Sequence, residues 1–186
     1  MKKTLVAAAL AASCFGSGMA NAGIGDSIFV QSSGHVFATF EGHTAGFTSD
    51  LYLESPTSSF IFTNHVANVG DTVDLGFFTA GTELTFSIFV RNTGYWFYSG
   101  SGILNPDGLA HANVINNWMS SGRTYVGFED LWGGGDLDYD DNSFSFTNVA
   151  TMQPVPEPET YAMLLAGLGL LGMQARRRKQ KQATAA

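Results

Sequence analysis

The chain has 186 residues, enough for one domain of ordinary size and little more. Charged residues make up 13% of it, about half the usual share, while 45% is hydrophobic and 13% aromatic. This composition argues against a disordered acidic tail. The net charge of −7 argues against a nucleic-acid-binding protein, because such proteins need a basic face to neutralise phosphates.

The first 22 residues resemble the secretory signal peptides of exported proteins. Lys2 and Lys3 form a basic start, Leu5–Ala12 is a short apolar run, and Ala20–Ala22 supplies a cleavage site of small residues. We therefore expect the mature chain to begin at Gly23. Cys14, the only cysteine, is an alternative lipid acceptor; if it is removed with the peptide, the mature protein has no disulfide and no cysteine nucleophile or metal ligand.

The segment 23–153 is predicted to be an acidic all-β ectodomain. Its only basic residues are Arg91 and Arg123 against fourteen acidic ones, which gives a net charge of −12. Apolar residues alternate with polar ones, most clearly along 83–91, and short apolar runs are separated by Gly, Asn and Asp. Many short strands in one domain indicate a β-sandwich, with a jelly-roll-like arrangement as one version. The predicted strands are Ser27–Gln31, His35–Phe40, Phe47–Leu53, Ser59–Phe62, Val73–Phe77, Glu83–Arg91, Tyr95–Tyr98, His111–Ile115, Thr124–Phe128 and Ser143–Thr147.

An acidic loop, residues 129–141, holds six carboxylates and no basic residue. Hard oxygen ligands in that number suit Ca²⁺, which binds six to eight oxygens at about 2.3–2.6 Å, whereas Mg²⁺ prefers fewer protein ligands. The flanking strands and the absence of Gly at 141 and Glu at 147 exclude an EF-hand. The alternative is a solvated loop whose Asp and Asn side chains cap turns. The candidate calcium ligands are Glu129, Asp130, Asp136, Asp138, Asp140 and Asp141.

Other candidate sites are weaker. Trp96, Tyr98 and Trp132 are candidates for glycan contact through aromatic stacking, and packing on the core is the alternative. The four histidines have no paired metal-ligand spacing, which argues against zinc. The chain has neither a G-x-S-x-G nucleophile motif nor acidic residues predicted to face each other across a cleft, so we expect no enzyme activity.

The last 33 residues have a different organisation. Pro154–Glu159 is a proline-stiffened stretch, Tyr161–Ala175 carries no charge, and a basic tail follows at 176–181. Fifteen helical residues span about 22 Å, short of a hydrocarbon core of about 30 Å, but local thinning and snorkelling side chains can meet the difference. We therefore predict a single membrane helix over 161–175. Its stop signal, which stays cytoplasmic, is Arg176, Arg177, Arg178 and Lys179.

Two parts of the chain resemble known families. Pro156, Glu157 and Pro158, followed by the apolar span and the Arg-rich tail, resemble the PEP-CTERM sorting signal of Gram-negative bacteria. That resemblance implies that the membrane protease exosortase recognises Pro156–Pro158 and removes the anchor within a sorting signal at 154–181. Residues 83–149, above all Gly127–Asp141, resemble the bacterial domain-of-unknown-function 4114 family. This resemblance implies an extracellular β-domain without an established enzymatic activity.

These features predict a protein exported through the inner membrane, held by a transient anchor and then delivered to the cell surface or extracellular matrix. Its expected role is structural or interactive, as a component of the exopolysaccharide matrix or cell envelope. The alternatives are a calcium-dependent carbohydrate-binding or adhesive module and a glycan-modifying enzyme.

Overall fold

The computed structural model describes residues 23–151 and 167–169. The predicted signal peptide, the Pro156–Pro158 motif and the basic tail lie outside these residues. Of the predicted membrane helix, only 167–169 are described, and they are helical. Among the described residues, no helix is long and apolar enough to cross a membrane.

The regular secondary structure of residues 23–151 consists almost entirely of β-strands. Two single-turn 3-10 helices, at Gly102–Leu104 and Trp118–Ser120, interrupt them. The strands are β1 (Ile28–Val30), β2 (Gly34–Gly42), β3 (Ser49–Ser55), β4 (Ser59–Thr63), β5 (Thr72–Phe78), β6 (Glu83–Val90), β7 (Tyr95–Tyr98), β8 (Ala112–Ile115), β9 (Thr124–Phe128), β10 (Asn142–Phe146) and β11 (Val149–Ala150).

The strands form two antiparallel sheets. One has the order β11-β1-β6-β3-β4, with β7 also paired to β6, and the other has the order β5-β2-β10-β9-β8. Phe86 of the first sheet stacks on Phe146 of the second, with 4.1 Å between ring centroids. Because successive strand residues point to opposite faces, the apolar set of each strand turns toward the other sheet.

The core consists of these inward-facing side chains. On β6, Leu84, Phe86, Ile88 and Val90 are buried and alternate with more exposed or polar positions. Burying each such side chain contributes about 1.5–3 kcal/mol. Six phenylalanines are fully buried, which explains how a chain without disulfides forms a stable core: Phe40, Phe86, Phe97, Phe128, Phe144 and Phe146.

The architecture confirms the predicted all-β class, and two packed antiparallel sheets are consistent with a β-sandwich. The bounds of β7 and β9 agree with the predicted ones. β11 was not predicted, because two residues are too few to show alternation. The jelly-roll arrangement stays a prediction.

The acidic loop connects two neighbouring strands of the second sheet. β9 ends at Phe128 and β10 begins at Asn142, and these two residues are cross-strand partners. The loop therefore leaves and returns to the same point at one end of the sandwich. A second segment fastens it there, since the backbone nitrogens of Thr44 and Ala45 donate to the carbonyls of Asp140 and Asp141 at 3.2 and 3.3 Å.

Candidate metal site in the acidic loop

Three of the six predicted ligands meet at one point. One carboxylate oxygen from each of Glu129, Asp136 and Asp138 lies within 4.8 Å of the other two. Glu129 follows the end of β9 and is fully buried, while Asp136 and Asp138 are exposed at the tip of the loop. The cluster therefore has one ligand fixed by the fold and two that face solvent.

Only one of the two carboxylate oxygens of Glu129 has a hydrogen-bond partner. Its Oε1 accepts a hydrogen bond from the backbone nitrogen of Tyr139 at 2.6 Å, and its buried Oε2 has no hydrogen-bond partner. Burial raises the pKa of Glu129, and the negative charges of Asp141, Asp136 and Asp138 raise it further, against the opposing effect of the Tyr139 hydrogen bond. An unpaired buried carboxylate is costly, so this oxygen needs a proton or a cation.

Two glycines allow the loop to fold over Glu129. A Cβ on Gly135 would lie 2.5 Å from Glu129 Oε2, and Gly135 has a φ of 54°, a region that favours glycine. A Cβ on Gly127 would collide with the carbonyl oxygen of Tyr139, which rests directly on β9. The loop can therefore place the Tyr139 nitrogen on Glu129 only because both positions lack a side chain.

A buried histidine and an aspartate anchor the other side of the loop. Asp107 Oδ2 accepts from the backbone nitrogen of Gly133 at 2.9 Å and lies 2.8 Å from His111 Nε2. His111 is fully buried, its Nδ1 lies 3.0 Å from the Glu129 carbonyl oxygen, and its ring stacks on Phe97. Burial alone would raise the pKa of Asp107, but the hydrogen bonds from Gly133 and His111 outweigh it and lower the pKa.

The sequence places Asn105 and Asp107 in an Asn-Pro-Asp-Gly turn, which predicts a structural role for them, with extra metal ligands as the alternative, but does not identify this anchor. The spacing of Asp107 and His111, four residues apart across a turn, was the only pattern that pointed to it. The partner that completes the anchor, Gly133, lies 26 residues along the chain from Asp107.

The remaining three predicted ligands lie outside this cluster. Asp140 accepts a 2.5 Å hydrogen bond from the Thr44 hydroxyl, which turns it toward the 43–48 segment. Asp141 Oδ2 accepts from the backbone nitrogen of Asp130 at 3.1 Å. Burial, together with the negative charge of Asp141, raises the pKa of Asp130 to about 7. The structure thus separates an outer cluster (Glu129, Asp136 and Asp138) from an inner pair (Asp130 and Asp141).

The three carboxylates of the outer cluster are close enough together to hold a metal ion, since their ligand atoms all lie within 4.8 Å of one another. Two oxygens bound to one Ca²⁺ lie at most about 5 Å apart, because each lies about 2.4 Å from the ion. Three carboxylates leave positions for carbonyl oxygens, water or an external ligand, because Ca²⁺ binds six to eight oxygens.

The three predicted aromatic contacts do not form one platform. Trp96 and Tyr98 lie on the outer face of the first sheet, because they alternate with the buried Phe97. Trp132 is exposed and packs on Tyr95 at 5.0 Å between ring centroids. Tyr95 and Trp96 are neighbours on β7 and point to opposite faces, which separates Trp132 from Trp96.

Two segments of the chain match known families. Residues 154–179 match the PEP-CTERM protein-sorting motif. The chain carries a PEP-CTERM sorting signal. The signal implies export and membrane-anchored sorting toward the cell surface, with exosortase as the processing partner.

Residues 68–148 match the domain of unknown function (DUF4114). The resemblance inferred from the acidic loop is therefore confirmed, and the matched DUF4114 segment begins earlier than the predicted 83. It contains β5 to β10 and the whole acidic loop. No curated protein and no solved structure matches the chain.

Proposed function

We propose that the sorted domain is a structural or adhesive component of the exopolysaccharide matrix or cell envelope, and that Ca²⁺ orders its acidic loop. The observation that carries this proposal is the buried, unpartnered Oε2 of Glu129 within reach of two exposed carboxylates. A cation at that point would compensate the buried charge and hold the tip of the loop against β9. A solvated loop without a bound ion does not explain why a carboxylate with one unpartnered oxygen is buried.

The exposure of Asp136 and Asp138 supports a role in binding partners. The segment 23–153 carries a net charge of −12 and would repel an anionic polysaccharide. An ion held at the surface by these two residues would keep open coordination positions for the oxygens of such a polymer. We propose a binding function without turnover, and degradation of matrix polysaccharide by the purified chain would contradict it.

Replacing Pro156, Glu157 and Pro158 with alanine should stop processing of the sorting signal. The altered chain should stay in the membrane fraction with Arg176–Lys181 still attached, because the protease would lack its recognition site. Mass spectrometry of released wild-type protein should show that this tail is missing. Gln153→Ala serves as the control outside the matched motif, and a released wild-type protein with an intact tail would refute the sorting account.

A second candidate function, glycan binding, rests on a row of aromatic rings across the outer face of the first sheet. Phe60, Tyr52, Trp96 and Phe89 follow one another at centroid distances of 5.7, 5.2 and 4.8 Å. Phe60 is 54% exposed, so this end of the row is accessible to solvent. Polar groups border the row on both sides: the Asp50–Arg91 ion pair at 2.7 Å, and Glu54, which accepts from Ser87.

Flat rings beside hydrogen-bonding groups are suited to the apolar faces and hydroxyls of pyranose rings. Trp96→Ala should therefore reduce binding of the full chain to matrix polysaccharide by about tenfold or more, measured by affinity electrophoresis, because Trp96 lies at the centre of the row. Trp118→Ala is the matched control, since Trp118 packs on Tyr125 in the second sheet. Equal retardation of the wild-type and Trp96→Ala chains would exclude this face as the binding surface.

A further inference from the structure

The core of the sandwich contains polar side chains where β9 ends and β10 begins, which we call the inner end of the core. Asn142 is the cross-strand partner of the buried Phe128, so both side chains face the interior between the sheets. Asp130 follows Phe128 by two residues, just beyond the end of β9. Asn142 is fully buried and Asp130 is 3% exposed.

Three polar atoms of these two side chains lack hydrogen-bond partners. Asp130 Oδ2 and both the oxygen and the nitrogen of the Asn142 amide are buried without a hydrogen bond. Leaving a buried polar group unpaired costs about 1–3 kcal/mol, and more for a charged one. The carboxylate of Asp141 completes the group, since its Oδ2 accepts from the backbone nitrogen of Asp130.

A fourth unpartnered atom comes from the opposite sheet. Phe144 stacks on Phe62, and Phe62 is the cross-strand partner of Leu51. Ser49 precedes Leu51 by two residues, as Asn142 precedes Phe144, so Ser49 and Asn142 belong to the same layer of the core. The buried hydroxyl of Ser49 also has no hydrogen-bond partner.

Neither arginine of the segment 23–151 balances the charges at this point. Arg91 pairs with Asp50, and Arg123 donates to Thr39 and Ser145. Water molecules would satisfy the hydrogen bonds of the amide and the hydroxyl, but the two neighbouring carboxylates would still need a shared proton or a cation. A divalent cation would satisfy the oxygens and neutralise both charges at once.

We propose that the inner end of the core is a second divalent-cation site, with oxygens from Asp130, Asp141 and Asn142, distinct from the outer cluster of the proposed function. The oxygen ligands and the two negative charges favour Ca²⁺. An ion bound there would connect Asp130, which follows β9, with Asp141 and Asn142 at the start of β10. The ion in the outer cluster would hold the tip of the loop. The second site depends on its own residues and does not require the first to be correct.

Counting bound calcium tests the proposal directly. Native mass spectrometry of the full chain in Ca²⁺ should show two ions, both removed by EDTA. Asp130→Asn with Asp141→Asn should leave one ion, and Asp136→Asn with Asp138→Asn should also leave one. Glu83→Gln removes one exposed negative charge from the other sheet and should leave two.

The outcomes separate this site from the outer one. If the wild type binds a single ion and that ion survives Asp130→Asn with Asp141→Asn, the inner site is overturned and the proposed function is left intact. If the single ion survives Asp136→Asn with Asp138→Asn but is lost in Asp130→Asn with Asp141→Asn, the inner site stands and the outer cluster is not a calcium site. No bound ion overturns both.

Asn142→Asp provides a variant that does not remove a ligand. It adds a carboxylate to the inner end and should tighten binding of one ion by about tenfold, because the charge of the ligand set tunes calcium affinity. A loss of stability that calcium cannot restore would show instead that this position is a hydrated polar pocket, and would overturn the inner site.

Discussion

We expect calcium to raise the melting temperature of the chain by several degrees and EDTA to lower it. A ligand that binds only the folded state stabilises it by about 2.7 kcal/mol at a hundredfold excess over its Kd. In a domain of this size such a gain is easily detected by differential scanning calorimetry. The physical reason is the buried Glu129 carboxylate, one of whose oxygens has no hydrogen-bond partner and would be bound by the cation.

Asp136→Asn with Asp138→Asn should remove the part of this response that comes from the outer cluster. The amides keep the shape of both side chains, including the oxygen of residue 138 that accepts from the Asp140 nitrogen. Without calcium, the double variant should be as stable as the wild type or more so, because it relieves carboxylate repulsion. The Glu83→Gln control should keep the full response, and an undiminished response in the double variant would contradict the assignment of these ligands.

Gly127→Ala should destabilise the domain by about 1–3 kcal/mol and weaken calcium binding at least tenfold. The added methyl group would meet the Tyr139 carbonyl and the Tyr125 ring, whose Oη would lie 2.9 Å away. Tyr139 would have to move off β9, which breaks its hydrogen bond to Glu129 and displaces the neighbouring Asp138. Chemical denaturation and calcium titration of the same variant measure the two effects.

Gly46→Ala is the matched control for this change. A Cβ at Gly46 meets nothing within 4 Å, and its backbone does not need the left-handed region. It should therefore change neither stability nor calcium affinity appreciably. If Gly127→Ala behaved like Gly46→Ala, the contact between the loop and β9 would not be the support of the site that we describe.

The strands could be predicted from the sequence because the alternation of apolar and polar residues indicates which face of a strand is buried. Leu84, Phe86, Ile88 and Val90 illustrate this, since each is a core residue on β6. Alternation does not record which strands pair. The pairing of β1 with β11, more than a hundred residues apart, has no local pattern that predicts it.

The acidic loop was recognisable as a unit, but its division into two groups was not. Asp136 and Asp138 meet Glu129 as their alternate spacing suggests, whereas Asp140 continues the same spacing and is held by Thr44 instead. Thr44 lies 96 residues away in sequence, so only the folded chain brings the two together. The sequence also does not show that Trp132 lies apart from Trp96. Trp132 packs on Tyr95, and the side chains of Tyr95 and Trp96 point to opposite faces of β7.

Isothermal titration of Ca²⁺ into the calcium-free chain tests the central claim most directly, namely that the outer cluster is a calcium site. We expect a saturable heat in the wild type that is reduced by Asp136→Asn with Asp138→Asn and unchanged by Glu83→Gln. A flat titration at millimolar calcium would contradict the claim and leave the acidic loop as a solvated turn.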